Sequence, residues 1–541
     1  MRAGVGSVAV SLAGLTLAAR LIGFGRSVVF SKTVGDTCLG DAYNAANTLP
    51  NILFEIVAGG VLAGVVVPVV TRHVAAGRAE QTTRTVSALV TWTLLVLTPA
   101  ALVALLGAPL YARLLASPGC PGSAGTVAAL LVVFAPQVWF YGLAVVSAGV
   151  LQAHSRFLAA ATAPLVSSLV VVAAYLGFAA LAPAAARDDL GALTPSAAAV
   201  LGWGTTLGVL ALAACTLVPL ARLGLRLRPR LRFATGDRGV LLRIAGAGLV
   251  GLVLQQLSVL LISWAAQRSG DPGALTRFTW ANALYLLPYA VLVAPLLQTV
   301  FPRLAVAAGA DDDGSGLHRA RTGVRRVLGD TAPSVVLLAW LGAALLAGTA
   351  VPVARVFVLG PGSGRTDALA GPIAAFAPAV VGFALLGLAS RALLAQHRAR
   401  AAGLATGLAW GTVIVAVAGL RLLVPPSALV PVLAGSVSLG MAVGAVVGWA
   451  ALHRQGVAVA LARPLLVGLA AAAVTVLACW WPARRLDDAG LLTALLGGLG
   501  LALLATAVFA GVTALLDRSL LTGLTRLRGR PVEEEVRGAD R

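Results

Sequence analysis

Apolar stretches of about twenty residues or more recur from one end of this chain to the other, and few folds accept them. A soluble domain carries about 25% charged residues; this chain of 541 residues has 11%, with 59% hydrophobic residues and a mean hydropathy of +0.94. About 20 apolar residues cross a bilayer as a helix, and a helix satisfies its own backbone hydrogen bonds in hydrocarbon. An all-α, polytopic membrane protein is therefore expected. Fourteen transmembrane helices are predicted, at roughly 6–32, 42–70, 86–112, 125–151, 158–182, 196–221, 240–266, 275–302, 328–356, 369–394, 402–423, 428–451, 461–481 and 490–516.

The formal charge of +20 does not point to nucleic acid, because the bases fall in short segments between apolar runs rather than in one patch. Alternate loops are the basic ones: Arg72, Arg78 and Arg84; Arg226, Arg228, Arg230 and Arg232; Arg319, Arg321, Arg325 and Arg326. The positive-inside bias then puts both termini in the cytoplasm of a plasma-membrane protein, with anionic lipid head groups as partners. Arg20 and Arg26 lie within the first span, so that segment is read as a retained helix rather than a signal peptide. The only lysine, Lys32, follows Ser31, which excludes a Walker A nucleotide loop. The five histidines are scattered over different loops and suggest no metal site, and no cofactor is expected.

The chain reads as duplicated. Phe134-Ala135-Pro136 recurs as Phe376-Ala377-Pro378, offset by 242; the turn at Gln152–Arg156 recurs at Gln396–Arg400, offset by 244; Leu49-Pro50 recurs as Leu287-Pro288, offset by 238. Six-helix units enter the membrane in the same sense, so the expected organisation is a first lobe (1–223), a basic linker (224–238) and a second lobe (239–454) in parallel duplication. Two extra helices (455–517) and a cytoplasmic tail (518–541) follow. Leu520, Leu521, Leu524 and Leu527 in the tail suggest an amphipathic surface helix.

Polar groups inside spans are costly and mark function. In the second span Asp41, Asn44, Thr48, Asn51 and Glu55 fall on one helical face, with Asn47 at its edge. Pro50, Gly59 and Gly60 are candidate hinges there. The first span holds Arg20 and Arg26 around the candidate hinges Gly23 and Gly25. Arg26 either snorkels or pairs with Glu55, or the two guanidiniums bind anionic substrate groups, phosphate first. Arg277 and Asn282 are weaker substrate-binding candidates, as are Gln255, Gln256, Ser258 and Tyr285. Cys38 and Cys120 fall in loops on the same, outer side, as a disulfide or as two free thiols.

The stretch Ala19-Arg20-Leu21-Ile22-Gly23-Phe24-Gly25-Arg26, then Gly40-Asp41-Ala42-Tyr43, Leu49-Pro50-Asn51-Ile52-Leu53 and Val67-Pro68, resembles the MviN/MurJ family of lipid II flippases, within the MOP-type exporters. The Arg-, Ala- and Gly-rich usage is similar to that of a high-GC actinobacterium. The resemblance implies a central cavity that binds the pyrophosphate of lipid II and turns it outward by alternating access, with no enzymatic step, and cell-wall synthesis proteins as neighbours. Arg20, Arg26 and Asp41 match family cavity residues. Where many members have an arginine this chain has Phe54, where they have Ala-Glu-Gly it has Ala58-Gly59-Gly60, and the arginine of the eighth span is Ala283; Glu55 and Arg277 would then rewire the site. Export of another polyprenyl-linked glycan, or small-molecule antiport on the same fold, is the alternative. A glycan-polymerising enzyme needs carboxylates grouped on one outer loop, whereas Asp188-Asp189 and Asp487-Asp488 sit in short turns.

Overall fold

The computed structural model describes residues 2–56, 63–233, 237–309 and 316–526. The candidate hinges Gly59 and Gly60, and the tail beyond Arg526, lie outside them. Contacts divide the chain into two compact units, Met1–Thr279 with Phe357–Gly364, and Trp280–Val356 with Arg365–Arg541.

The first unit holds α1 (Arg2–Thr33), α2 (Cys38–Glu55), α3 (Ala63–Ala75), α4 (Ala79–Leu106), α5 (Ala108–Leu114), α6 (Ser123–Phe134), α7 (Gln137–Ala153), α8 (Phe157–Leu181), α9 (Pro195–Ala221), α10 (Asp237–Gln267) and the start of α11 (Ala274–Pro288). Helix α8 packs on α1 and α9, and α7 on α3, α4 and α9. Small residues permit this closeness, since lipid supplies no hydrophobic drive for helices to associate. A Cβ added at Gly204 of α9 would come within 2.2 Å of the Ala174 side chain on α8. Val66, Val70, Val86, Leu89, Val146 and Val150 are among the buried residues that tie α3, α4 and α7 together.

The rest of α11, α12 (Ala294–Ala308), α13 (Gly316–Gly348), α14 (Ala350–Val358), α15 (Thr366–Ala375), α16 (Ala377–Ala395), α17 (Ala399–Leu420), α18 (Pro426–Arg454), α19 (Ala462–Arg484) and α20 (Leu491–Arg526) belong to the second unit, apart from the end of α14. Helix α18 packs against α15, α16 and α17, while α19 and α20 pack on α13. Helix α20 breaks at Asp517, which pairs with Arg463, and resumes with Leu520 and Leu521 packed against the core.

Twelve helices among the described residues are long and apolar enough to cross a membrane. They overlap the third to fourteenth expected spans. The first expected span is α1, which carries Arg20, Arg26 and Lys32; the second is divided between α2 and α3. The third departs from its expected course, with α4 starting at Ala79 and ending at Gly107, before the separate helix α5.

Local geometry repeats at one offset. Among the described residues Ser155 and His397 are the two non-glycine residues with positive φ (58° and 57°), and they lie 242 positions apart. Helices α7 and α16 end, and α8 and α17 begin, at that same spacing. The turn therefore repeats at 242, not at the 244 that aligning glutamines suggests, and so agrees with the Phe-Ala-Pro motif. Both copies of that motif interrupt their span, between α6 and α7 and between α15 and α16, where proline removes a backbone donor.

A β-branched side chain in the left-handed region costs roughly 1–2 kcal/mol. Ser155→Val and His397→Val are each expected to lower stability by about that amount, and glycine at either position to be tolerated. Thermal unfolding in detergent reads both, and a cost at one turn alone would argue against their equivalence.

Candidate functional site

The order of hydroxyls around α2 follows from what each can donate. Thr205 donates to the Leu201 carbonyl at 2.7 Å, so it accepts from the Tyr43 hydroxyl at 3.0 Å, and Tyr43 in turn accepts from Tyr175 at 2.9 Å. Phe30 packs on both tyrosine rings, with centroids 5.1 Å away in each case, and Phe134 closes on Tyr43. Arg26 of α1 lies close enough to act electrostatically on Tyr43, Tyr141 and Tyr175. It is half-buried, and among the described residues no carboxylate pairs with it. Glu55 is exposed and forms no ion pair with Arg26. Arg20 is exposed on the same helix.

Gly23 and Gly25 have open space where a Cβ would stand, and Pro50 is buried within an unbroken α2. Along α2, Thr48 donates to the Asn44 carbonyl at 2.8 Å, Asn51 is half-buried, and the Asn47 Oδ1 is buried without a hydrogen-bond partner. Phe54, at the position where an arginine was expected in the family, packs on Tyr141 with the rings tilted by 35° and centroids 4.4 Å apart.

Asp41, Asn44 and Arg277 are brought together elsewhere, in a closed polar knot at one end of the first unit. The first turn of a helix leaves its N–H groups without intrahelical partners. At the start of α11 the Asp41 carboxylate accepts from Gly273 N and Thr276 N, both at 2.9 Å, and from Thr276 Oγ1 at 2.8 Å. A carboxylate also suits the positive end of the helix dipole. Asn44 Nδ2 donates to Thr276 Oγ1 at 3.0 Å and to the Gly40 carbonyl at 2.9 Å. Beside it, Arg277 donates to Asp36 at 3.0 Å and also pairs with Asp271; its side chain is 1% exposed. Ser363 donates to the same Asp36 oxygen at 2.5 Å. Burial pushes the Asp36 carboxyl above its ordinary range, against the pull of Ser363 and Arg277.

Close backbone approach makes the knot possible. Gly35 has φ +80°, and a Cβ there would sit 1.8 Å from the Pro361 carbonyl oxygen; a Cβ at Gly273, φ +82°, would sit 2.2 Å from that of Asp36. Asp36 and Gly362 form a parallel backbone bridge. Cys38, at the start of α2, is disulfide-bonded to Cys120, with Cα atoms 5.6 Å apart. Asp36, Asp271, Thr276 and Ser363 were not singled out from the sequence. Their glycine-flanked loops were visible, but nothing local announces a pairing across 241 residues, as between Asp36 and Arg277.

In the second unit Asn282 is half-buried on α11. Tyr285 stacks on Phe376 with centroids 4.9 Å apart, and the helix passes into a π-helical turn at Tyr289–Val293 just after Pro288.

Removing one partner of a buried pair strands the other charge, at about 3–5 kcal/mol. Arg277→Met is expected to destabilise the chain by that order, and adding Asp36→Leu to restore most of it, by thermal unfolding. Alkylation of the unfolded chain without reductant is expected to spare Cys38 and Cys120, and after reductant to label both.

A family model described as lipid II flippase MurJ matches residues 30–486. The chain is 27% identical over 346 residues to a probable lipid II flippase MurJ of Rhizobium tropici, covering 61% of each chain. It is 24% identical over 331 residues to the Vibrio cholerae protein of the same description, covering 59% of this chain and 60% of that one. The matched stretch thus spans about three-fifths of these curated relatives. Among solved structures, lipid II flippase MurJ in an inward closed conformation shares the fold with a TM-score of 0.71 at 16% identity, covering 95% of this chain and 100% of that one. An inward-facing MATE-family multidrug resistance transporter of the MOP superfamily has a TM-score of 0.60 at 13% identity, covering 81% and 94%.

Proposed function

The chain belongs to the lipid II flippase MurJ family, and from that premise we propose that it moves lipid II, a polyprenyl-pyrophosphate-linked peptidoglycan precursor, from the inner to the outer leaflet by alternating access. The observation that carries this reading is Arg26. An intramembrane guanidinium with no carboxylate beside it is a standing cost unless it serves a ligand, and its planar fork matches phosphate oxygens bidentately. Tyr43 spends its hydroxyl proton on Thr205, and Thr205 spends its own on the Leu201 carbonyl, which leaves the cation as the dominant polar feature there. Arg20, Asn47, Asn51 and Glu55 extend the polar surface of the same two helices.

Both termini are cytoplasmic in this reading. The basic loops lie on one side, and the Cys38–Cys120 bridge lies on the other, where an oxidising exterior favours it. The knot around Asp41 and Arg277 then closes the outer end of the first unit, and these two residues act in closure rather than in holding the cargo. Outward movement of an anionic head group is assisted by an inside-negative potential, by about 2.3 kcal/mol per charge per 100 mV.

The second reading is export of another polyprenyl-linked glycan. Phe54 on Tyr141, and Ala283, favour it, because both stand where many family members carry arginine.

Complementation of cells depleted of their lipid II flippase tests the proposal. The wild-type chain is expected to restore growth, Arg26→Ala to abolish rescue, and Arg26→Lys to restore part of it. A correctly inserted wild type that fails to rescue would overturn the lipid II assignment in favour of the second reading.

A further inference from the structure

After α9 the chain runs Leu225-Arg226-Leu227-Arg228-Pro229-Arg230-Leu231-Arg232-Phe233. This is an alternation of period two, the pattern of an extended strand, yet among the described residues no second strand meets it. It lies instead along α4. Arg228 N donates to Ser87 Oγ at 3.2 Å, Arg230 N donates to Thr91 Oγ1 at 3.0 Å, and Trp92 Nε1 donates to the Leu231 carbonyl at 3.0 Å. Four residues of helix rise about 6 Å, and two residues of extended chain advance about 6.6 Å, so the ladder stays in register. Pro229 falls between the two donors, where its missing N–H costs nothing. Leu225 and Phe233 anchor the two ends against the buried α3–α4–α7 core.

The segment is thus fixed in place while its four arginines stay exposed, and among the described residues none of them has a carboxylate partner. The chain tightens at Arg226, where Leu227 N donates to the Leu225 carbonyl at 3.0 Å, and then runs along α4 from Arg228 to Leu231, so the four arginines share one short exposed segment. Leu227 and Leu231, between them, are 39% and 59% exposed. Exposed leucines alternating with exposed arginines suit a boundary where acyl chains meet phosphates. We propose that residues 225–233 are a preorganised cationic strap that binds the phosphate groups of anionic glycerophospholipids at this end of the helices. Membrane phospholipid is favoured over the transported cargo as occupant because the four arginines are exposed and lie outside the Arg26 region.

A bare topological signal would need only the charge. The strap needs the ladder and the guanidinium fork as well, and the test uses that difference. The full chain is purified in detergent, exposed to equal phosphatidylglycerol and phosphatidylcholine, and read by native mass spectrometry for retained lipid. The wild type is expected to retain phosphatidylglycerol in preference. Arg226, Arg228, Arg230 and Arg232 changed together to glutamine are expected to weaken retention roughly fivefold per charge removed. Two charge-preserving variants, the same four positions changed to lysine and Ser87→Ala with Thr91→Val, are expected to weaken it several-fold with unchanged thermal unfolding. Equal retention of the two lipids by the wild type, or wild-type retention by both charge-preserving variants, would overturn the proposal. Rescue of growth is a separate readout, so the flippase reading can fail while lipid retention stands, and the reverse.

Discussion

Hydrocarbon offers no water to take up an unmet hydrogen bond, and the placement of polar residues in this chain follows from that deficit. The clearest case is the start of α11, where bare amide groups meet the Asp41 carboxylate from another helix. The hydroxyl series from Tyr175 through Tyr43 and Thr205 to the Leu201 carbonyl is a second, ending on a backbone acceptor that can take an additional bond. Pairing is not complete: the Asn47 and Gln267 side-chain oxygens and Asp36 Oδ1 are buried without hydrogen-bond partners, and Arg26 on α1 has no carboxylate beside it among the described residues.

The cluster of Asp36, Asp271 and Arg277 is not a cheap source of stability. Asp36 and Arg277 are buried while Asp271 stays 29% exposed, and taking each buried charge out of water costs several kcal/mol before attraction is counted. What such a cluster does supply is geometry. The fork of Arg277 satisfies two carboxylates from different loops, and Ser363 brings in a third segment, 357–364, that is remote in sequence. This explains why Phe357–Gly364 belongs with the first unit although the helices on either side of it belong with the second. Gly35 and Gly273 allow the backbones to approach within a distance that any side chain would forbid.

Helical class and most helix positions were legible because periodicity and hydrophobic length act locally. The Phe-Ala-Pro interruptions were legible for the same reason, since proline acts on its own helix. The stripe Asp41, Asn44, Thr48, Asn51, Glu55 was also visible as one face of α2, but a stripe reports direction and not depth. Its upper members, Asp41 and Asn44, turn out to serve the knot, and its lower member Glu55 is exposed. Arg277 is a weaker candidate from the sequence, as a polar residue of an expected span, and its acids lie in loops where the sequence marks nothing. Register within the repeat was misjudged at the Gln152 turn because side-chain letters drift more readily than the left-handed backbone position, which Ser155 and His397 share.

The Cys38–Cys120 bond bridges a sequence separation of 82 between the first turn of α2 and the approach to α6. Everything inside that ring, including α3, α4 and α5, is anchored at both ends of one covalent staple. Any shape change that frees the start of α11 has to let go of it at Asp41, because α2 itself stays tethered to its neighbour. The staple therefore makes the α2 side of the knot the covalently fixed one, and the hydrogen bonds from the start of α11 to Asp41 the reversible ones.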